Sequence, residues 1–269
     1  MHLWQAALLG LIEGLTEFLP VSSTGHLILA GHLLGLGGEG AHAFEIVIQL
    51  GALLAVVVHY RQLLRAHLSG LLRREPRSLD LALALLVAFA PVAIVGLGLR
   101  KVIKYFLFGP APVAAALVLG GFLMLALPRL LCGRERLEGL DHVTPRRALW
   151  IGMGQCLSLW PGASRAMCTM MAAEIAGLST ATAAEFSFLL ALPTLGAATA
   201  YEALKSWKLL LATVSLPAMA IGLLTSFFVA WAVIAGFLRY LAHAGLAPFG
   251  IYRIFLGGTV FILLVRGSL

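Results

Sequence analysis

At 269 residues, with 61% hydrophobic and only 12% charged residues and a mean hydropathy of +0.97, the chain is excluded from the soluble globular class. The composition is that of an all-α polytopic membrane protein, and its 29 glycines suit close helix packing in lipid rather than a barrel. The formal charge of +7 does not point to nucleic acid, because the basic residues sit in short loops between apolar runs without aromatic interleaving or a recognition motif.

From the amino terminus, Met1 to Gly10 lacks a basic leader, and Glu13 and Glu17 interrupt the apolar region, so no cleavable signal is expected. Uninterrupted membrane spans are predicted over residues 44–60, 80–99, 111–131, 184–204, 210–237 and 247–266. Two further apolar regions, 3–36 and 148–178, are broken near the middle, one by LPVSSTG and the other by WPGASR. Irregular backbone at membrane depth is tolerated only where it packs in protein or lines a wet cavity. Both regions are therefore read as re-entrant helical hairpins, giving about six transmembrane helices plus two hairpins in a single integral membrane domain, 1–269.

Lysine and arginine concentrate on cytoplasmic loops. Arg61, Arg65, Arg73, Arg74 and Arg77 in the loop 61–77, and Arg129, Arg134, Arg136, Arg146 and Arg147 in the loop 129–147, mark two such loops. Two spans separate them, which makes the assignment self-consistent and puts both termini outside. Arg100, Lys101 and Lys104, and Lys205 and Lys208, fall on the outer side, so the charge bias is imperfect. Cys132, Cys156 and Cys168 have no metal-ligand spacing and are odd in number; they are read as reduced and structural.

An internal repeat emerges at an offset of 141, where FLPVSS at 18–23 overlays LWPGAS at 159–164, matching Pro20 with Pro161 and Ser23 with Ser164. One residue out of that register, Glu45 matches Glu185. Three predicted crossings lie between the hairpins. The halves, approximately 1–135 and 145–269, are thus expected to form an inverted repeat.

Glu13 and Glu17 are spaced i, i+4, on one face of a helix. Two adjacent carboxylates at membrane depth need a shared proton or a cation. A hard divalent ion, Mg²⁺ or Ca²⁺, fits them through oxygen ligands completed by substrate phosphate; the plain alternative is one protonated carboxylate in a helix–helix hydrogen bond. Pro20 ends that helix, and Ser22, Ser23 and Thr24 open the next, where hydroxyls either cap the helix or join its free N–H groups around an anion. His26 can serve there as acid, base or nucleophile. His32, His42 and His59 are read as packed core residues. Arg165 is the only basic residue between Arg147 and Lys205. At that depth it needs an anion, which is either Glu174 or Glu185 or a phosphate held by its bidentate fork.

Carboxylates, hydroxyls and an imidazole in one hairpin with an arginine in the other make phosphoryl chemistry the economical reading. The absence of a soluble domain gives the substrate a lipid tail. No Walker motif is present, so coupling to ATP is not expected.

The stretches EGLTEFLPVSSTGH at 13–26, FEIVIQLG at 44–51, PGASR at 161–165 and EFSFLLALP at 185–193 resemble the bacterial undecaprenyl-diphosphate phosphatase family, over essentially the whole chain. The resemblance implies an inner-membrane hydrolase of a phosphoric anhydride. It would convert the polyprenyl diphosphate lipid to undecaprenyl phosphate and inorganic phosphate, regenerating the carrier for peptidoglycan synthesis and conferring bacitracin resistance. It implies that Glu13 and Glu17 serve the divalent cation and activate the attacking group, and that Ser23 and His26 are nucleophile and partner, with attack by Ser23, His26 or water left open. It also implies that Ser22, Thr24, Ser164, Arg165 and Thr169 are pyrophosphate ligands in a site open to the periplasm. The partners expected are the bilayer and this lipid, with no nucleic acid and a homodimer admitted. One departure stands out: the family pattern after the arginine is Ser-Gly, and here it is Ala166-Met167. The rival reading is a transporter or flippase for a polyprenyl phosphate, since hairpins meeting at the midplane are also transporter features; a third, a non-catalytic membrane scaffold, leaves Glu13, Glu17 and Arg165 unexplained.

Overall fold

The computed structural model describes residues 1–36, 39–107, 109–131, 133 and 135–266, except the side chains of 39, 41, 42, 100, 101, 104, 242 and 243. His42, Arg100, Lys101, Lys104, Cys132 and Arg134 therefore lie outside the described residues or side chains. In chain order the helices are α1 (Leu3–Thr16), α2 (Ser23–Leu33), α3 (Glu39–His59), α4 (Arg61–Leu72), α5 (Pro76–Phe106), α6 (Pro110–Leu130), α7 (Pro145–Gln155), α8 (Arg165–Ile175), α9 (Thr180–Thr213), α10 (Leu216–Ala244) and α11 (Ala247–Val265).

Proline in the first turn starts α5, α6, α7, α10 and α11, where its missing N–H costs nothing. Among the described residues five helices are long and apolar enough to cross a membrane, and α3 with α4 passes the same test as a pair bent by 74°, which raises the number to six where that pair is one span. The chain is an all-α multi-pass membrane protein, with the six expected spans in α3, α5, α6, α9, α10 and α11. Several boundaries differ from the sequence reading, among them two that move a whole turn of helix or more. Most of the region taken as a loop over 61–77 is α4, in which Arg61 and Arg65 are outnumbered by Leu63, Leu64, Leu68, Leu71 and Leu72 in helical spacing. Residues 210–213, assigned to the fifth span, form the last turn of α9. At 34 residues α9 is about 50 Å long, well beyond a hydrocarbon core of about 30 Å; Lys205 and Lys208 ride on its extension.

Close helix contact is obtained through small residues, the device expected where lipid is as apolar as the side chains. α6 and α11 cross at Gly121 and Gly250, and a Cβ on either would lie 2.6 or 2.8 Å from the carbonyl oxygen of the other. α1 packs on α10 as α7 packs on α5, while α3 meets α9 and α6 meets α11.

The two basic loops meet at one end of the molecule. Arg77 Nε and Nη2 donate to the two Asp141 carboxylate oxygens at 2.6 and 2.5 Å. Other arginines serve the fold: Arg136 donates to the carbonyls of Glu174 and Leu178 and Arg147 to that of Ala176, around the end of α8, while Arg147 also donates to the carbonyl of His142. His32 is exposed and His59 half-exposed, with its ring edge-on to Tyr60 at 4.9 Å, so neither is the packed core residue expected. An apolar neighbourhood in sequence does not separate the lipid-facing side of a helix from its packed side. Cys156 and Cys168 are free thiols, as expected.

Candidate active site

Each broken region folds as a helix, a short turn and a second helix. In the first, α1 ends at Thr16 and α2 begins at Ser23; in the second, α7 runs through a 3-10 turn, Cys156–Leu159, and α8 begins at Arg165. Both second helices start in the same unusual way. Ser22 at φ 74°, ψ 94° and Ser164 at φ 71°, ψ 118° are N-caps in left-handed backbone. Their hydroxyls accept from Gly25 N at 3.3 Å and Met167 N at 3.2 Å. Among the described residues only one other non-glycine residue, Arg74, has positive φ. Strain of this kind costs about 1–3 kcal/mol per residue and concentrates at functional sites. The caps align at an offset of 142, from Ser22 to Ser164, one residue from the register suggested by the proline match. Ser22 thus holds the capping role that sequence had left open beside phosphate binding, and Ser164, read from sequence only as a phosphate ligand, caps α8 in the same way.

The two helix starts converge on one carboxylate. Ser23 Oγ donates to Glu17 Oε2 at 2.6 Å, and Arg165 Nη2 donates to Glu17 Oε1 at 3.4 Å. Glu17 therefore touches the first residue of α2 and the first residue of α8. The free N–H groups and positive dipole ends of both helices meet there, a favourable setting for an anion. The anion partner of Arg165 inside the protein is Glu17, while Glu174 pairs with Arg136 and accepts from Thr180 Oγ1 at 2.6 Å.

Arg165 is held on its other side as well. Nη1 donates to the Ser187 carbonyl at 2.9 Å, and the guanidinium lies 5.8 Å from the centroid of the Phe18 ring. Thr169 is fully buried, and its hydroxyl meets Ser187 Oγ at 2.6 Å and bonds the Arg165 carbonyl at 2.9 Å. In this arrangement Thr169 supports Arg165 through Ser187 rather than facing an open space. Thr24 is exposed.

His26 is fixed at both nitrogens, Nδ1 at 2.7 Å from the Ser22 carbonyl and Nε2 at 2.6 Å from the Tyr252 hydroxyl. A carbonyl only accepts, so Nδ1 carries a proton, and in the neutral ring Nε2 then accepts from the Tyr252 hydroxyl. The hydrogen-bond partner of Ser23 is thus Glu17, and the expected Ser23–His26 pair is not formed. Glu13 is buried one turn before Glu17, and its Oε1 has no hydrogen-bond partner.

Ala166 is fully buried and Met167 is 5% exposed. Met167 packs over Gly120 of α6, where an added Cβ would sit 2.8 Å from its sulfur. Both departures from the Ser-Gly pattern therefore lie on the packed side of α8.

Sequence reasoning missed Ser187, Tyr252 and Arg253. The last had a signal: it is a lone cation inside the apolar run 247–265, and intramembrane charges are functional by default.

Fold and site together define a polytopic membrane protein whose acid–hydroxyl–arginine cluster sits where two broken helices meet. The profile described as "Bacitracin resistance protein BacA" matches residues 6–259, and the chain belongs to that family. It is 57% identical over 263 residues to the undecaprenyl-diphosphatase of Sorangium cellulosum (strain So ce56), covering 97% of this chain and 86% of the relative. It is 44% identical over 263 residues to that of Thermoanaerobacter pseudethanolicus (97% and 96% covered) and 45% identical over 257 residues to that of Sphingopyxis alaskensis (96% and 96% covered).

Proposed function

We propose that this protein hydrolyses undecaprenyl diphosphate to undecaprenyl phosphate and inorganic phosphate, recycling the lipid carrier of peptidoglycan synthesis and contributing to bacitracin resistance. Relatives at 43–57% identity are named undecaprenyl-diphosphatase. The observation that carries the mechanism is Glu17, bonded at once to Ser23 Oγ and Arg165.

Glu17 takes the Ser23 hydroxyl proton as Ser23 Oγ attacks the terminal phosphorus. The Oγ–P bond forms, the bond from phosphorus to the bridging oxygen breaks, and undecaprenyl phosphate leaves. Water then attacks the phosphoserine, Glu17 returns the proton it took to Ser23 Oγ as the Oγ–P bond breaks, and the protons of the water leave with inorganic phosphate, restoring both Ser23 and the Glu17 carboxylate. Arg165 carries charge on the peripheral oxygens in both steps. His26, with Nδ1 on the Ser22 carbonyl, holds the turn in which Ser23 sits. A transporter would need the arginine but not a hydroxyl seated on a carboxylate.

Glu13 Oε1, a buried carboxylate oxygen without a partner, fits a hard divalent cation, Mg²⁺ or Ca²⁺, which Glu13 and Glu17 would hold. Among the described residues no group of three or more acidic, His or Cys side chains surrounds it. Water and substrate oxygens would therefore fill the remaining positions. The cation supplies neutralisation of charge on the diphosphate.

The two halves, near 1–135 and 145–269, form an inverted repeat. The matching caps and the matching helix pairings, α1 on α10 and α7 on α5, support this reading. The protein resides in the bacterial plasma membrane with the site facing the periplasm. The pairing of Arg77 with Asp141 joins the two arginine-rich segments at one end of the molecule, which supports a cytoplasmic location for that end.

The test is release of inorganic phosphate from undecaprenyl diphosphate by purified protein, abolished by EDTA and restored by added Mg²⁺ or Ca²⁺. Lipid flipping without phosphate release would overturn the reading, and chelator-insensitive turnover would remove the cation from it.

A further inference from the structure

Arg253 lies in the middle of α11, fully buried. Among the described residues its hydrogen bonds go to three carbonyls and to no carboxylate. Nη1 donates to the Pro20 carbonyl at 3.2 Å, and Nη2 donates to those of Ala116 at 3.0 Å and Gly162 at 2.9 Å. Pro20 lies in the turn of the first hairpin and Gly162 in the turn of the second. Nε is buried without a partner. One guanidinium thus ties the two turns to each other and to α6. Space for it depends on Gly120, where a Cβ would collide with Nη2. The preceding residue, Tyr252, meets His26, so α11 grips the first hairpin at a second point.

A buried cation without a counter-charge is costly, and a planar guanidinium can reach three carbonyls where an ammonium cannot do so in one plane. We propose that Arg253 is a positioning residue for the hydrolysis argued above: it fixes the separation between Glu17 with Ser23, on one turn, and Arg165, on the other. Displacement of reacting groups by about 1 Å costs on the order of 100-fold in rate.

The experiment is a double-mutant cycle of Arg253→Lys and Arg165→Lys, read as kcat and KM for phosphate release per folded molecule, with thermal midpoints measured alongside. Pulsed electron-paramagnetic distances are taken between spin labels at Leu33 and Leu157, exposed residues of the two hairpins, with Cys132, Cys156 and Cys168 replaced by alanine. Arg253→Lys should lower kcat about 100-fold with KM changed less than about threefold, broaden the distance distribution, and add little to the loss in the Arg165→Lys background. Gly120→Ala should reproduce these effects with Arg253 intact. Additive losses with an unchanged distance distribution overturn the proposal. If Arg253→Lys fails to fold, full activity and unchanged distances in Gly120→Ala overturn it. A wild-type protein that releases no phosphate sinks the hydrolase reading alone, and the distances then decide the clamp.

Discussion

The two hairpins are built alike and equipped differently. Each opens its second helix with a serine cap in left-handed backbone, Ser22 in one and Ser164 in the other. The first brings Glu17, Ser23 and His26 to the meeting point with Glu13 one turn behind, and the second brings Arg165 backed by Thr169, its Glu174 being paired with Arg136. Neither set is complete. A carboxylate pair at membrane depth lacks a cation and a lone arginine lacks an anion, so each hairpin supplies what the other needs through the Glu17–Arg165 contact. The shared architecture places two helix N-termini, and the differing residues divide proton transfer from charge stabilisation.

That division is broken most directly at its two ends. Glu17→Gln keeps the shape but cannot accept the Ser23 proton and should lower kcat by roughly 10³–10⁴. Arg165→Ala should cost roughly 10²–10³, and unlike Glu17→Gln it also leaves Glu17 without its cation. Phosphate-release kinetics separate the two, and equal losses with full additivity in the double variant would argue that the hairpins act independently.

The pair Ala166→Ser with Met167→Gly sharpens which side of α8 faces phosphate. Removing the buried Met167 side chain above Gly120 should cost about 2–5 kcal/mol of stability, while turnover per folded molecule stays the same. A rise in turnover beyond threefold would move these positions into the site.

Ser22→Ala and Ser164→Ala test the shared cap. Each loses a cap bond, about 0.5–2 kcal/mol, and leaves alanine in a conformation that glycine tolerates better. The glycine variants should therefore be the more stable of each pair in thermal unfolding. If KM rises in Ser22→Ala but not in Ser164→Ala, the first serine also contacts substrate.

The smallest effect belongs to Tyr252→Phe. Losing the hydroxyl that donates to His26 Nε2 removes one hydrogen bond, about 0.5–1.5 kcal/mol, and should lower kcat/KM about threefold to tenfold. An unchanged value would confine His26 to holding the Ser22 carbonyl.

Much of this was legible locally. Proline and small polar residues at the centres of 3–36 and 148–178 required breaks, and the i, i+4 spacing put Glu13 and Glu17 on one helix face. The cap was visible as an alternative for Ser22, but not for Ser164. The roles of Ser187, Tyr252 and Arg253 were not. Arg253 reaches Gly162, Ala116 and Pro20 across 91, 137 and 233 residues of sequence, and no periodicity encodes such a meeting.

By itself the sequence determined that the chain must live in a membrane, that two of its helices must break inside it, and that Glu17 and Arg165 could not stay unpaired there. Tertiary structure alone decided which charge answers which. The low dielectric fixes only the need for a partner, whereas the choice of Glu17 over Glu174 or Glu185 follows from how the two hairpin turns pack around α6 and α11.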